Sequence, residues 1–163
     1  MQNEFTTERL QLRDLGTQDT GFIIELLNSP GWIRFIGNRN VNTAGDAKAY
    51  IQKVTGNPNI QYWVVNLKEN KIAVGVITLI KRDYLEHHDI GFAFLPQYEK
   101  RGFAFEASKV VLENALELHK VLLATTLAEN LSSIKLLTKL GFTFDKEIEN
   151  NGERLRVYKV EKN

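Results

Sequence analysis

The chain predicts a mixed β-sheet with helices packed on its faces, an α+β or α/β layer fold. Three observations carry that prediction. Apolar and β-branched residues form short strand-like blocks near the beginning, middle and end of the sequence. Between them lie stretches with helical spacing, opened by Asn, Thr or Gly and closed by Gly or Pro. No repeat, low-complexity tract or linker divides the 163 residues, which make one domain over 1–163 with a substantial core.

The elements follow in order. Leu10 and Leu12 alternate with polar neighbours, as in a strand with one wet face. Phe22 to Leu27 has helical spacing and ends near Pro30. The aromatic piece from Gly31 to Gly37 suits a helical turn on the core or part of a ligand-facing lid. Asn42 and Thr43 supply caps for a helix through Ala47, Tyr50, Ile51 and Val54, stopped by Gly56 and Pro58. Ile60 to Leu67 and Ile72 to Ile80 read as a hairpin of strands joined by residues 68–71.

Asp89 to Leu95 (DIGFAFL) is a third, aromatic strand, ended by Pro96. A polar turn leads to Gly102, and a long amphipathic helix follows with Ala104, Ala107, Val111, Ala115 and Leu118 on one face. Val121 to Leu127 is a strand. Asn130 caps a helix carrying Leu131, Ile134, Leu137 and Leu140, which Gly141 closes. Phe142 to Ile148 and Leu155 to Val160 form a last strand pair around an Asn-Gly turn.

Composition narrows the function. With 43% apolar and 25% charged residues the chain is of the soluble globular class. Cysteine is absent, which excludes disulfides, thiolate nucleophiles and cysteine-ligated zinc, and fits a reducing, cytoplasmic setting. The N-terminal stretch has no apolar leader core and no run approaches a membrane span, so no membrane partner is expected. A formal charge of +1 with interspersed signs gives nucleic acid little to bind. His87, His88 and His119 lack metal-ligand spacing, and no Walker or GxGxxG loop is present, so no metal is expected.

The strand-turn-helix junction at 89–107 carries the most chemistry. A helix start leaves backbone N–H groups unpaired under a positive dipole end, and small residues there let a phosphate approach. Lys100 and Arg101 add cationic donors at its mouth. Glu99 to Ala104 (EKRGFA) resembles the acetyl-CoA-binding motif of the GNAT N-acetyltransferases, Gln/Arg-x-x-Gly-x-Gly/Ala, with Glu99 departing at the first position. Phe105 to Ala107 is similar to the RimJ/RimL-like branch, which acetylates ribosomal proteins. Thr7 to Arg13 (TERLQLR) looks like the family's opening strand, and Asn130-x-x-Ser133 with Lys139 to Phe142 like its C-terminal signature.

The resemblance implies a mostly antiparallel sheet in which two central parallel strands, around 88–95 and 121–127, splay apart to admit the pantetheine arm. It implies acetyl-CoA as co-substrate, held by the backbone of Lys100, Arg101, Gly102, Phe103, Ala104 and Phe105, by Phe94 and Leu95 pairing with the amides of the pantetheine arm, and by Asn130 and Ser133. Asn130 also reads as a helix N-cap, and the two roles can coexist. The reaction implied is direct attack of a primary amine, a protein N-terminus or a small molecule, on the thioester.

For the acid, the family's frequent tyrosine position falls on Leu137, which has no proton to give. The branch's serine is Ser133, a donor to the leaving thiolate or a first-turn cap. For the base, Asp89 matches an acidic residue of the branch and His88 lies near the glutamate of other members. Both also read as structural residues, and water can serve an α-amine with a pKa of about 8. Trp32, Phe35, Tyr62 and Trp63 read as core. A non-catalytic acyl-CoA sensor and a transferase of longer acyl groups are the rival readings. Dimerisation through the last strands is compatible with the pattern.

Overall fold

The computed structural model describes residues 2–163. Its eight strands are β1 (Phe5–Thr6), β2 (Leu10–Asp14), β3 (Ile60–Leu67), β4 (Ala73–Ile80), β5 (Asp89–Phe94), β6 (Val121–Thr126), β7 (Thr143–Asn150) and β8 (Glu153–Glu161). All join one sheet in the order β1-β2-β3-β4-β5-β6-β8-β7. Every neighbouring pair is antiparallel except β5 and β6. This is the mixed sheet that the order of elements predicts, mostly antiparallel as the family resemblance implies. β1 was not predicted, since two residues carry no period. It exists because Phe5 packs edge-on against Trp63 at 5.8 Å and the Trp63 indole N–H donates to the Gln2 carbonyl at 3.1 Å.

The helices are α1 (Thr20–Leu27), α2 (Pro30–Phe35), α3 (Ala44–Thr55), α4 (Phe103–Leu118) and α5 (Leu131–Lys139). Strand alternation sends side chains to two cores. Trp63, Ile77, Ile90 and Phe94 meet Ala107, Val111 and Ala115 of α4 and Leu137 of α5 on one face. Val64, Val76 and Leu95 meet Ile23, Leu26 and Ile51 of α1 and α3 on the other, where Trp32 of α2 is also buried. The aromatic piece 31–37 is therefore a short helix anchored in this second core.

Local signals set the element ends. Thr43 accepts from the Asp46 amide and Asp46 accepts from the Thr43 amide, a reciprocal cap on α3. Asn151 and Gly152 adopt φ of 50° and 80°, the left-handed pair that a tight hairpin turn requires. One expectation fails at the end of α4: Leu118 lies on the apolar stripe but is 60% exposed. It is the last helical residue, and the chain turns away into β6 before the sheet can cover it.

β5 and β6 share a single register pair, Asp89 with Leu123, secured by the Leu123 amide donating to the His88 carbonyl at 2.9 Å. Each strand is otherwise held by its outer neighbour: β4 pairs β5 from Gly75–Phe94 to Ile80–Asp89, and β8 pairs β6 along its whole length. The two strands thus start together and part toward their C-terminal ends. The expected splayed strands are these.

Candidate active site

The open end of the V leads to the start of α4. The Leu95 amide is spent on the Val74 carbonyl, and Phe94 and Leu95 bury their side chains in opposite cores. What β5 offers toward β6 beyond Asp89 is therefore its backbone edge. A 3-10 turn over Pro96–Tyr98 then reverses the chain. Lys100 and Gly102 both take left-handed backbone, with φ of 62° and 82°. That conformation costs an L-residue about 1–2 kcal/mol and suits glycine.

Gly102 is the N-cap of α4, and no side chain caps it. The first helical bond runs from the Glu106 amide to the Gly102 carbonyl at 3.1 Å. The amides of Phe103, Ala104 and Phe105 precede it and have no acceptor within the helix. The Glu99 side chain is exposed and forms no ion pair among the described residues, so the departure at the motif's first position leaves the backbone cradle untouched.

Cations crowd the outside of this cradle. An open groove of about 490 Å³ is lined by the cations Arg9, Lys109 and Lys139, by Gly102 and Phe105, and by the carboxylates Glu106, which pairs with Arg9, and Glu113. The Lys139 ammonium sits 4.2 Å from the Phe105 ring centre and the Arg9 guanidinium 4.4 Å from that of Phe103. Arg9 Nη1 also donates to the Arg101 carbonyl at 3.0 Å, tying the loop to β2.

Glu106 organises this corner. It accepts from the Thr7 hydroxyl, from the Arg9 amide at 3.0 Å and from Arg9 Nε at 2.8 Å. Burial works against its charge, but these donors prevail and hold the carboxyl below its ordinary pKa. In the sequence Glu106 stands only as the middle residue of the Phe105–Ala107 run. It is the clamp between the first strand and the cradle.

Across the cleft, Asn130 Oδ1 accepts from the Ser133 amide at 3.3 Å and so caps α5. Ser133 is half-buried, and its hydroxyl makes no hydrogen bond with any described residue. The capping is done by Asn130, not by Ser133. Leu137 is 1% exposed, packed in the core beneath α4.

His88 and Asp89 lie at the apex of the V, on opposite faces. His88 stacks on His119, which follows α4, at 4.3 Å between ring centres. Burial and then the His119 ring depress its pKa. Asp89 faces the α1–α3 side, is 4% exposed and accepts from Arg82 Nε at 3.0 Å. Burial raises its carboxyl above the ordinary range and Arg82 only partly offsets this. Near it on the same side, Tyr62 of β3 and Tyr50 of α3 join hydroxyls at 3.0 Å. Sequence reasoning left Tyr62 in the core and gave Tyr50 only a place in a helix. Trp63 is core, at 0% exposed.

Residues 9–143 match the Acetyltransferase (GNAT) domain. The chain belongs to the GNAT acetyltransferase family. It is similar to the uncharacterized N-acetyltransferase YnaD of Bacillus subtilis strain 168, at 30% identity over 139 residues, covering 83% of this chain and 80% of that protein. Its fold is that of a GNAT-family acetyltransferase from Bacillus anthracis, with a TM-score of 0.81 at 24% identity over 97% of this chain and 98% of that one. RimL, a ribosomal α-N-protein acetyltransferase solved in complex with coenzyme A, superposes with a TM-score of 0.81 at 11% identity over 95% of both chains.

The residues present fit the GNAT co-substrate. A Cβ at Gly102 would stand 3.3 Å from Arg9 Nη2, in the space that bare glycine leaves beside the free helix amides. The cations at Arg9, Lys109 and Lys139 suit a polyanionic nucleotide end, and the parted β5–β6 edges suit an extended amide-bearing arm.

Proposed function

We propose that this acetyltransferase moves the acetyl group of acetyl-CoA to a primary amine, by direct attack with both substrates bound. The observation that carries the reading is the single-pair β5–β6 junction opening onto an uncapped, cation-lined helix start. Acetyl-CoA supplies an activated thioester. The backbone from Lys100 to Phe105 holds its phosphates, the β5 edge at Phe94 and Leu95 aligns its arm, and Asn130 fixes the far wall. Alignment is itself the larger part of such catalysis, because it converts an encounter between two molecules into a local event.

Ser133 is the donor to the leaving sulfur. Its hydroxyl is unpartnered and stands at the N-terminal turn of α5, where the positive end of the helix favours a developing thiolate. Asp89, raised in pKa and set at the apex on the α1–α3 face, is the better placed base of the two residues proposed. His88 lies on the other face against His119 and acts as a positioning residue there. The acceptor is a protein N-terminus or a small amine, in keeping with the likeness to the RimJ/RimL-like branch.

The test is release of free coenzyme A thiol from acetyl-CoA with a panel of N-terminal peptides and small amines. Turnover that falls with Asp89→Asn and with Ser133→Ala supports the assignment. Coenzyme A binding without turnover on any amine would instead favour a non-catalytic sensor, the reading that buried Leu137 at the tyrosine position supports.

A further inference from the structure

We infer that Thr78 is a second contact residue for the acceptor, taking one N–H of a primary amine whose other N–H goes to Asp89. The inference rests on the transferase reading above and extends it to the acceptor's side of the reaction. Gly91 to Ala93 are half-buried, although they lie in the middle of β5 with a strand on either side. The helices leave this stretch of the sheet uncovered where β6 has parted from it. On the α1–α3 face the uncovered patch is a cross-strand row. Tyr62 of β3 registers with Thr78 of β4, and Thr78 with Gly91 of β5, all three half-buried. The next row pairs Ile80 with Asp89, so Asp89 lies two residues along β5 on the same face.

Gly91 decides where the Thr78 hydroxyl goes. A Cβ at Gly91 would stand 2.7 Å from Thr78 Oγ1, closer than such atoms approach, so only glycine lets this hydroxyl lean over β5. There it makes no hydrogen bond with any described residue. It is not sealed off either: the unpartnered side-chain oxygens wholly out of solvent are those of Asn66 and Ser108. The neighbouring Tyr62 hydroxyl is already bonded to that of Tyr50 at 3.0 Å, which leaves Thr78 as the free hydroxyl of the row. Its oxygen carries two lone pairs and so can accept from an N–H.

The second acceptor is the Asp89 carboxylate. Its Oδ1 takes Arg82 Nε at 3.0 Å, and its Oδ2 has no side-chain partner. Two residues of strand separate Asp89 from Gly91 by about 6.6 Å, a spacing comparable to two bonds of about 2.9 Å meeting at one nitrogen. A neutral primary amine has two N–H groups and one lone pair. With both N–H groups held on this face, the lone pair is left for the thioester at the β5 edge. It forms the bond to the acetyl carbon as the carbon–sulfur bond breaks. One amine proton passes to Asp89, and the sulfur departs as thiolate toward Ser133. A secondary amine has a single N–H, which goes to Asp89 and leaves Thr78 without a partner.

The experiment follows coenzyme A thiol release by the intact protein from acetyl-CoA with two acceptors, an alanine-initiated peptide and phenethylamine, each beside its N-methyl form. Wild type is expected to favour the primary form of whichever acceptor it uses. Thr78→Val keeps the shape over Gly91 and removes the hydroxyl. It should lower kcat/KM for the primary amine by about 3- to 30-fold, the loss of one hydrogen bond at a partly desolvated site, and leave the N-methyl form unchanged. The ratio of the two forms is the readout, because a residue that only packs would move neither. Thr78→Ser should restore most of the loss. The coenzyme A-induced rise in Tm should be the same in all three proteins.

Calorimetric titration of the amines into the coenzyme A complex separates the two readings. Primary-amine binding that weakens in Thr78→Val, without turnover in any of the proteins, supports this inference and removes only the transferase reading. A primary-to-N-methyl ratio unmoved by Thr78→Val, a Thr78→Ser protein as slow as Thr78→Val, or acceptors that neither bind nor react would each overturn it.

Discussion

Gly102→Asp is the substitution in which stability and binding should separate most clearly. The position has φ of 82°, and an L-residue there costs about 1–2 kcal/mol, with Asp among those that tolerate it best. The new Cβ lies 3.3 Å from Arg9 Nη2, the one guanidinium nitrogen that makes no hydrogen bond, so a shift of a few tenths of an ångström relieves the contact. Against this, a carboxylate at the N-cap meets the free amides of α4 and its dipole, which returns about 0.5–1 kcal/mol. The net cost is about 1 kcal/mol, or roughly 2–4 °C in Tm for a chain of this size.

The same carboxylate would face the phosphates. Like charges about 4 Å apart repel by about 1 kcal/mol in water and about 4 kcal/mol near a protein surface, so affinity falls by roughly one to three orders of magnitude. Ligand at 1,000 times its Kd stabilises by about 4 kcal/mol, and a 100-fold weaker site retains only about 1.4 kcal/mol of that. Melting with and without acetyl-CoA should therefore show a wild-type rise of about 8–16 °C that shrinks to a few degrees in the variant. A variant that keeps the full rise would refute phosphate binding at this helix start. A variant whose ligand-free Tm drops by well over ten degrees would refute the compensation between strain and capping.

Glu106→Gln should cost about 1–3 kcal/mol in urea unfolding at pH 7, since three donors and the Arg9 charge lose their anion. Because the folded carboxyl lies below its unfolded value, that contribution is full above about pH 5. It is lost as pH falls through the folded pKa, so the wild-type and variant stability curves should converge in acid. Asn130→Ala removes the α5 cap and should lower stability by about 1 kcal/mol, with a weaker response to coenzyme A in the same melts. Ser133→Ala, by contrast, should leave unfolding within about 0.5 kcal/mol of wild type, because its hydroxyl has no partner to lose. Its effect should appear in kcat, with KM for acetyl-CoA unchanged.

Much of this molecule follows from interactions that span only a few residues. The cap at Thr43, the left-handed turn at Asn151 and Gly152, the glycine start of α4 and the Asn130 cap are local, and their residues stand within one turn of what they satisfy. Alternation of side chains likewise separates His88 from Asp89 before any coordinates are known. The strand-turn-helix cradle, and with it the family, is legible for the same reason: it is one continuous stretch.

What required three dimensions is every contact between distant stretches. Glu106 meets Thr7 and Arg9 across nearly a hundred residues, and nothing in the spacing of α4 announces that clamp. Leu118 obeys the helical period yet stays exposed, because period sets the direction of a side chain and not whether anything covers it. Only the packing of α3 on the sheet brings Tyr50 to Tyr62, a pairing of hydroxyls that the spacing of neither element announces. Periodicity and capping report the geometry of a single element. The site's charge balance arises where elements meet, and hydrophobic packing, which is indifferent to direction, decides that meeting.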